Sequence, residues 1–230
     1  MRQRPVVYLF DIDGTLLSSG GAGRRAMERA FGVCCDRADA CTGFSMAGMT
    51  DRGIVRLGLR AIGTADTPDE IDRILATYLD LLVGEIASAT DYRLHEGVRE
   101  ALDCAAATPR SVVGLGTGNV RAGAAIKLGR AGIYERFSFG GFGCDDEDRA
   151  ALLAVGAERG ASLLGLPRSE CRVVVIGDTP RDIASAHAIG AEAIAVATGG
   201  HSLTELSACQ PRHAFASLAD PGALAALACS

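Results

Sequence analysis

Two aspartates separated by one residue, Asp11 and Asp13, follow a short apolar run near the start of the sequence. Because side chains alternate along an extended chain, both carboxylates project to the same side. Such a pair suits chemistry in which one carboxylate stays ionised, as a nucleophile or metal ligand, while the other carries a proton. Gly14 permits a sharp turn after the pair, and Thr15 supplies a hydroxyl that can also cap a helix. An acidic turn without catalytic function has the same spacing, so this motif alone assigns no activity.

A second group of polar residues follows the apolar run 111–115, in the stretch VVGLGTGN. Its glycines look like a dinucleotide-binding fingerprint, but such a fingerprint carries an acidic residue about 20 residues further on. The corresponding segment 137–141 contains no acidic residue. Thr117, Gly118 and Asn119 instead stand where a strand passes into a helix, and a hydroxyl and backbone N–H groups at such a point bind anions. The stretch therefore predicts an anion-binding loop.

A third stretch, VVVIGDTPRD, ends an apolar run with Asp178 and places Asp182 four residues later. Residues four apart lie on the same side of a helix, one turn from each other. Carboxylate oxygens are ligands that suit Mg²⁺, so the pair is a candidate metal site. A helix cap at Asp178 explains this stretch equally well by itself. Three apolar runs that end in acids or a hydroxyl, in this order, favour one shared site over coincidence.

Alternating apolar runs and helical patterns must bring these residues together. β-branched runs predict strands, and amphipathic patterns predict helices between them. The predicted strands cover residues 6–10, 111–115, 172–176 and 193–197, with a weaker one at 137–139, and the predicted helices cover 96–107, 120–131, 147–163, 180–189 and 220–228. This order is typical of an α/β protein with a Rossmann-like three-layer core, in which helices cover both faces of a central parallel sheet. Ligands bind beyond the carboxyl ends of the strands in such sheets.

The alternation stops between residues 18 and 90, where only helical patterns occur, at 22–31, 51–62 and 69–86. We interpret residues 18–90 as an α-helical domain inserted after the first strand. Residues 1–17 and 91–230 then form the α/β core. The sequence contains no internal repeat and no low-complexity linker.

Composition excludes several classes of protein. The net charge of −5 and the isoelectric point near 5.4 give no basic footprint for nucleic acid. No segment approaches the roughly 18 uninterrupted apolar residues of a membrane helix, and the apolar run near the start ends in acids that a signal peptide excludes. The eight cysteines include no CxxC pair, and the four histidines lack zinc-ligand spacing. We therefore expect a soluble, cytoplasmic protein whose partner is a small molecule.

Together the three motifs resemble those of the haloacid dehalogenase (HAD) superfamily. The matching segments are Asp11-x-Asp13-Gly14-Thr15, the apolar run that ends in Thr117-Gly118-Asn119, and Gly177-Asp178 followed by Asp182. The inserted helices resemble the cap domain of the phosphoglycolate-phosphatase-like branch, and GMTD at 48–51 is similar to a loop pattern of that cap. The resemblance spans nearly the whole chain. Its motifs are specific for the superfamily but not for a substrate.

The resemblance implies an Mg²⁺-dependent phosphatase that acts on a small phosphorylated metabolite. Asp11 would attack the phosphate monoester and form an aspartyl-phosphate, and Asp13 would protonate the leaving alkoxide and then activate water. Mg²⁺ would be held by Asp11, the backbone carbonyl of Asp13 and Asp178, with Asp182 in support. The residues implied to bind the substrate are Thr15, Thr117, Gly118 and Asn119.

The superfamily also uses a lysine that neutralises the phosphate, upstream of the last motif, where this sequence reads CDDEDRAALL. The chain contains a single lysine, Lys127, on the helix predicted to follow Thr117. Arg149 occupies approximately the usual position. We favour Lys127, because the compact charge of an ammonium suits a phosphate crowded by Mg²⁺ better than a planar guanidinium does. A surface lysine without function is the alternative interpretation.

Other activities of the superfamily fit the sequence less well or need further tests. A phosphonate-cleaving member needs a lysine in the cap, and residues 18–90 contain none. A dehalogenase has no use for the acid/base at Asp13. A phosphomutase of the same superfamily, and a binding or regulatory protein that kept the fold but lost turnover, are the alternatives. In the cap, Thr50, Asp51 and Arg52 are candidate specificity residues, although helix capping explains them equally well.

Overall fold

The computed structural model of the protein describes residues 4–228. The strands in that range are β1 (Val6–Phe10), β2 (Leu17–Ser19), β3 (Tyr92–Leu94), β4 (Ser111–Thr117), β5 (Gly140–Phe142), β6 (Arg172–Gly177), β7 (Glu192–Val196) and β8 (His213–Phe215). The α-helices are α1 (Ala22–Cys35), α2 (Asp51–Ala61), α3 (Pro68–Ser88), α4 (Val98–Ala107), α5 (Arg121–Arg130), α6 (Arg149–Leu163), α7 (Pro180–Ala188), α8 (Leu203–Ala208) and α9 (Pro221–Ala228). Across these described residues, no helix combines the length and the apolar character needed to cross a bilayer.

Six parallel strands form the central sheet, in the order β5-β4-β1-β6-β7-β8. β1 lies inside the sheet and pairs with β4 and β6, so that Phe10 is level with Leu115 and Ile176. The three strands therefore end at the same edge, and the residues that follow them emerge close together. This arrangement confirms the predicted α/β class with a central parallel sheet.

Helices cover both faces of the sheet because β1 is apolar on both sides. Val6, Tyr8 and Phe10 pack into one apolar cluster with residues of α4, α5 and α9, whereas Val7 and Leu9 pack into another with residues of α6 and α7. All five side chains are fully buried. Burial of a large apolar side chain contributes about 1.5–3 kcal/mol, so the strand that carries the acidic pair is anchored in the middle of three layers.

Helices α1, α2 and α3 form a group with an apolar core of its own, here called the helical insert (residues 22–88). Phe31 of α1, Leu59 of α2 and Leu82 of α3 belong to that core and are fully buried. Gly58 lets α2 approach α1 closely, since a Cβ there would lie 2.4 Å from the ring of Phe31. The antiparallel pair β2–β3 joins the two chain segments that enter and leave the insert.

Four short elements of the structure were not predicted: β2, β3, α8 and β8. Each has three to six residues, too few for a period of two or 3.6 to stand out from the surrounding loops. β2 and β3 lie at the two junctions of the insert, near the predicted boundaries at residues 18 and 90.

The weak strand predicted at 137–139 lies three residues later, at Gly140–Phe142. Positions 140 and 141 of this strand are glycines because neighbouring backbone lies too close for a side chain. A Cβ on Gly141, for example, would lie 1.9 Å from the carbonyl oxygen of Leu152. Glycines weaken the apolar pattern from which a strand is predicted, so the pattern points to the preceding phenylalanines instead.

Candidate active site

The turn after β1 brings the acidic pair against the end of β6. The backbone N–H of Asp11 donates to the carbonyl of Ile176 at 2.9 Å. Gly14 has a φ of 85°, and a Cβ there would lie 2.2 Å from Asp178 Oδ2. Thr15 donates its hydroxyl to Asp178 Oδ1 at 3.0 Å. Glycine is therefore required at this turn. The turn also positions the Asp178 carboxylate through the hydrogen bond from Thr15.

Three carboxylates meet at this edge of the sheet. One oxygen each from Asp11, Asp178 and Asp182 lies within 4.8 Å of the others, and all three residues are buried. Burial raises the pKa of Asp11 to about 6, against the opposing charge of Arg149. Burial and repulsion from the neighbouring carboxylates raise the pKa of Asp178 to about 8. This acidic cluster favours a cation, since a positive charge here would relieve the repulsion.

Arg149 supplies a positive charge at the acidic cluster. It is the first residue of α6, and its Nη2 lies 3.0 Å from Asp11 Oδ2 and also hydrogen-bonds Asp182. Burial opposes the charge of the guanidinium, but the two carboxylates outweigh this effect and raise the pKa of Arg149. A single guanidinium cannot offset the three carboxylates when all of them are ionised, and the raised pKa of Asp178 reflects this deficit. The cluster is therefore short of positive charge.

Asp182 also stabilises the start of α7. Thr179 caps this helix, and its backbone N–H and hydroxyl donate to Asp182 Oδ2 at 3.0 and 2.7 Å. The other carboxylate oxygen accepts a hydrogen bond from Arg149. Because both of its oxygens are engaged within the protein, Asp182 supports the acidic cluster rather than offering it a free ligand.

The carboxylate of Asp13 belongs to a different group of side chains. Its Oδ2 accepts hydrogen bonds from Lys127 Nζ at 2.6 Å and from Asn119 Nδ2 at 2.9 Å. The side chain of Asp13 is 41% exposed, whereas that of Lys127 is 5% exposed. Burial opposes the charge of Lys127, but Asp13 and Asp51 outweigh it and raise the pKa of this lysine. The two aspartates of the first motif thus face different cations.

Both candidate cations of the sequence analysis lie in the site. Arg149 contacts Asp11, and Lys127 contacts Asp13. The alternative interpretation of Lys127 as a surface residue does not fit the structure, because its side chain is buried. The choice between the two cations therefore becomes a question of which task each one performs.

The loop after β4 forms part of the same site. Thr117 Oγ1 accepts a hydrogen bond from Asn119 Nδ2 at 2.9 Å, and its own proton remains available as a donor. The carbonyl of Gly118 accepts the backbone N–H of Asp51 at 2.8 Å. A Cβ on Gly118 would lie 2.2 Å from the carbonyl oxygen of Met49. The helical insert and the segment that precedes it therefore pack directly on this loop.

These groups line one cavity of about 640 Å³ between the strand ends and the helical insert. The predicted site residues that line it are Asp11, Asp13, Thr117, Gly118, Asn119, Lys127, Arg149 and Asp178. The helical insert closes the other side with residues from all three of its helices and from the loop 46–49. The structure thus gathers most of the predicted residues in one place.

Three predicted site residues, Thr15, Thr50 and Asp182, are absent from the cavity lining. Thr15 and Asp182 hydrogen-bond residues that do line it. Thr50 caps α2 instead: its Oγ1 accepts the N–H of Gly53 at 3.1 Å and donates to the carbonyl of Glu147 at 3.2 Å. The capping alternative therefore describes Thr50, and the geometry gives no support to a substrate contact.

Asp51 joins the helical insert to the loop after β4. Its Oδ2 accepts the backbone N–H of Val120 at 2.8 Å. The residue is buried, and burial raises the pKa of its carboxyl to about 6, against the opposing charge of Lys127. Arg52, the next residue, pairs with Asp72 on α3. Of the three candidate specificity residues, Asp51 is the one that lines the cavity.

Gly199 and Tyr78 are among the cavity-lining residues that sequence reasoning missed. Gly199 follows β7, and a Cβ there would lie 1.8 Å from Asp178 Oδ2; the glycine pair at 199–200 signals only a turn. Tyr78 lines the cavity from α3. It occupies an apolar position of a long amphipathic helix, where an aromatic residue predicts core packing. Neither residue carries a local signal for the site.

Comparison with known proteins assigns the family. The sequence model of haloacid dehalogenase-like hydrolases matches residues 6–190. The chain belongs to this family. The predicted superfamily is thereby confirmed, and the protein is an enzyme of the hydrolase class. No curated protein sequence matches the chain.

Solved structures share this fold over nearly the whole chain. CbbY from Rhodobacter sphaeroides, in complex with phosphate, is 17% identical with a TM-score of 0.72, covering 98% of this chain and 99% of that one. A predicted phosphoglycolate phosphatase from Haemophilus somnus is 20% identical with a TM-score of 0.66, covering 96% and 97%. A hydrolase from Pseudomonas syringae is 18% identical with a TM-score of 0.68, covering 94% and 95%. At these identities the likeness establishes the fold.

We predict that replacing Asp51 by asparagine stabilises the HAD-like chain more at pH 7 than at pH 4. The folded state binds a proton at Asp51 more tightly than the unfolded chain does, because burial raises this pKa to about 6. The contribution of Asp51 to stability therefore falls as the pH rises from about 4 to 6. Asparagine keeps an acceptor for Val120 without the charge, which here faces Lys127 and Asp13.

The unfolding free energies of wild type and variant, from denaturant titrations at the two pH values, test this prediction. The gain from Asp51→Asn should be larger at pH 7 by about 2–3 kcal/mol. Asp69→Asn, at an exposed position in the first turn of α3, is the matched control. A change in unfolding free energy from wild type to Asp51→Asn that is the same at pH 4 and pH 7 would contradict the prediction.

Proposed function

We propose that the protein is a phosphatase that hydrolyses a small phosphorylated metabolite through an aspartyl-phosphate on Asp11. The observation that carries this proposal is one cavity lined by a buried acid, a buried ammonium and a hydroxyl donor, namely Asp11, Lys127 and Thr117. A hydrolase that acts on a phosphate ester needs a nucleophile, positive charge and hydrogen-bond donors in this combination. Asp13, beside them, supplies the acid/base group that an ester requires.

We further propose that the acidic cluster holds Mg²⁺. The residues fit this ion, because it prefers oxygen ligands and because the cluster is buried and its carboxylates repel one another. Asp11, the backbone carbonyl of Asp13 and Asp178 would hold the ion, with Asp182 in support. When bound, Mg²⁺ supplies the charge that offsets the repulsion between a phosphate dianion and the Asp11 carboxylate.

In the first step of this proposal, Asp11 attacks the phosphorus atom. Arg149 orients the carboxylate through its contact of 3.0 Å with Asp11 Oδ2. The new bond joins a carboxylate oxygen to phosphorus, and the bond between phosphorus and the leaving oxygen breaks in line with it. Asp13 gives a proton to the leaving oxygen, so that the alcohol departs uncharged.

In the second step, water cleaves the aspartyl-phosphate. Asp13, now ionised, takes a proton from the attacking water, inorganic phosphate leaves, and Asp11 regains its carboxylate. Hydrogen bonds from Lys127 and Asn119 orient Asp13 for both proton transfers. We assign to Lys127 and to the hydroxyl proton of Thr117 the stabilisation of charge on the transferring phosphoryl oxygens.

We also propose that the helical insert acts as the cap of this site. Its side chains line the cavity together with those of the strand ends, and β2 and β3 lie at its junction with the α/β core. A cap that closes over the substrate excludes bulk water from the reaction. In this division, residues 18–90 form the cap and residues 1–17 and 91–230 form the core, of which residues 1–3 and 229–230 lie outside the described part of the chain.

Phosphate release from a panel of phosphorylated metabolites, with and without Mg²⁺, tests the proposed function. We expect release that requires Mg²⁺, and we expect Asp11→Asn to lower kcat at least about 10³-fold, because an amide cannot act as the nucleophile. The exposed substitution Asp69→Asn should leave kcat unchanged. Transfer of phosphate between positions of a sugar with little release would favour a phosphomutase, and complete inactivity would favour a binding protein; either outcome contradicts the proposal.

Replacing each cation by methionine separates the two tasks. Lys127→Met should lower kcat at least about 100-fold and cost less stability than Arg149→Met, because its hydrogen-bond partner Asp13 is 41% exposed. Arg149→Met should lower turnover and also cost about 3–5 kcal/mol of stability, because it leaves the buried Asp11 and Asp182 without their partner. Rates and denaturant titrations measure both quantities. Equal losses of stability in the two variants would refute this division.

A further inference from the structure

The helical insert presents a largely apolar surface to the cavity. Met27 of α1 is buried, and Met46 and Met49, in the loop before α2, are half-buried. Every methionine of residues 4–228 lines this cavity. Ile54 of α2 and Tyr78 of α3 extend the apolar surface. We call Met27, Met46 and Met49 the methionine wall.

The helical insert offers a substrate little positive charge. Among residues 22–88, Arg24 is the one cationic residue that lines the cavity. It already pairs with Glu28 at 3.4 Å, and its side chain is 45% exposed. The acid that the insert contributes to the lining is Asp51, which is buried. An anionic leaving group would therefore meet a buried carboxyl and an exposed cation that is already paired.

Tyr78 contributes a hydroxyl group to the lining of the cavity. Tyr78 is 1% exposed, and within the described chain its hydroxyl forms no hydrogen bond. Burial, together with the charges of Asp51 and Asp13, raises the pKa of this phenol well above its ordinary value, so the hydroxyl stays neutral. A polar group of a bound molecule would supply the partner that the protein does not.

We propose that the substrate is a phosphate monoester with an uncharged, largely apolar leaving group that packs on the methionine wall and hydrogen-bonds Tyr78. This inference rests on the proposed phosphatase function and narrows its substrate class. Thioether side chains adapt to irregular aliphatic or aromatic shapes, whereas a carboxylate would lose water without gaining a free cation. A leaving group as small and charged as that of phosphoglycolate is therefore disfavoured.

Hexyl phosphate and the phosphate ester of ω-hydroxyhexanoate test this substrate class. The two esters differ only in a terminal methyl group against a carboxylate, and their leaving alcohols are of similar acidity. For the wild-type protein with Mg²⁺, kcat/KM for hexyl phosphate should exceed that for the carboxylate ester at least about tenfold. The physical reason is that the methionine wall binds the methyl end and gives the carboxylate no counter-charge.

A charge placed on the methionine wall should change this preference. Met46→Lys removes apolar surface and supplies an ammonium, so the ratio of the two kcat/KM values should fall about tenfold or more. Val33→Lys places the same charge at a position of α1 that is 72% exposed and absent from the cavity lining. This matched control should leave the ratio unchanged.

Tyr78→Phe tests the hydrogen bond separately, because it removes the hydroxyl and keeps the ring. Among ω-hydroxyalkyl phosphates of increasing chain length, the best substrate of the wild type should lose about tenfold in kcat/KM. The value for hexyl phosphate should stay within about twofold of wild type on the same grounds. Equal losses for both kinds of ester would contradict a hydrogen bond from Tyr78 to the leaving group.

The two esters also separate this inference from the function on which it rests. Phosphate release from members of the metabolite panel but from neither ester would overturn this inference alone, whereas release from none of these compounds would overturn the phosphatase assignment and this inference together. Release from both esters, with an equal or higher kcat/KM for the carboxylate ester, would overturn this inference and leave the phosphatase assignment in place.

Discussion

The crowding of three buried carboxylates is the constraint on which the rest of the structure depends. Asp11, Asp178 and Asp182 bring oxygens within 4.8 Å of one another, in surroundings where burial disfavours charge. Positive charge nearby stabilises the ionised form of such an arrangement, and Arg149 supplies a single guanidinium. The remaining excess of negative charge favours a cation at this place.

The fold packs backbone closely around Asp178 and places two cations at different carboxylates. Gly14 and Gly199 let the backbone close on Asp178, where a Cβ at either position would lie 2.2 or 1.8 Å from the carboxylate. Arg149 holds the acid proposed as nucleophile, whereas the ammonium of Lys127 holds the acid proposed to move protons. Because these cations contact different carboxylates, each can be replaced without removing the other. The helical insert adds the surface that we propose selects the leaving group.

Sequence patterns located the site wherever a residue follows a run of buried apolar side chains. Strands β1, β4 and β6 are such runs, and they place Asp11, Thr117 and Asp178 at one edge of the sheet. The strand at Gly140–Phe142 was displaced in the prediction because its glycines are selected by close backbone contacts, which leave no apolar pattern.

Other features depend on contacts between segments that are distant in sequence. Thr50 donates to the carbonyl of Glu147, which lies 97 residues away, and no local pattern reveals such a partner. The same holds for Lys127 and Arg149: both were candidates, but only the packed helices show which carboxylate each one meets. Tyr78 resembles a core residue in sequence because its ring packs in the apolar core of the insert. The cavity beside its hydroxyl arises from the packing of α3.

The effect of Mg²⁺ on the stability of Asp178→Asn and Asp13→Asn tests the shared acidic site most directly. We expect Mg²⁺ to raise the unfolding free energy of wild type and Asp13→Asn, since a ligand that binds only the folded state stabilises it, and to have no effect on Asp178→Asn. An equal effect of Mg²⁺ in all three proteins, or none in wild type, would contradict a metal site at the acidic cluster.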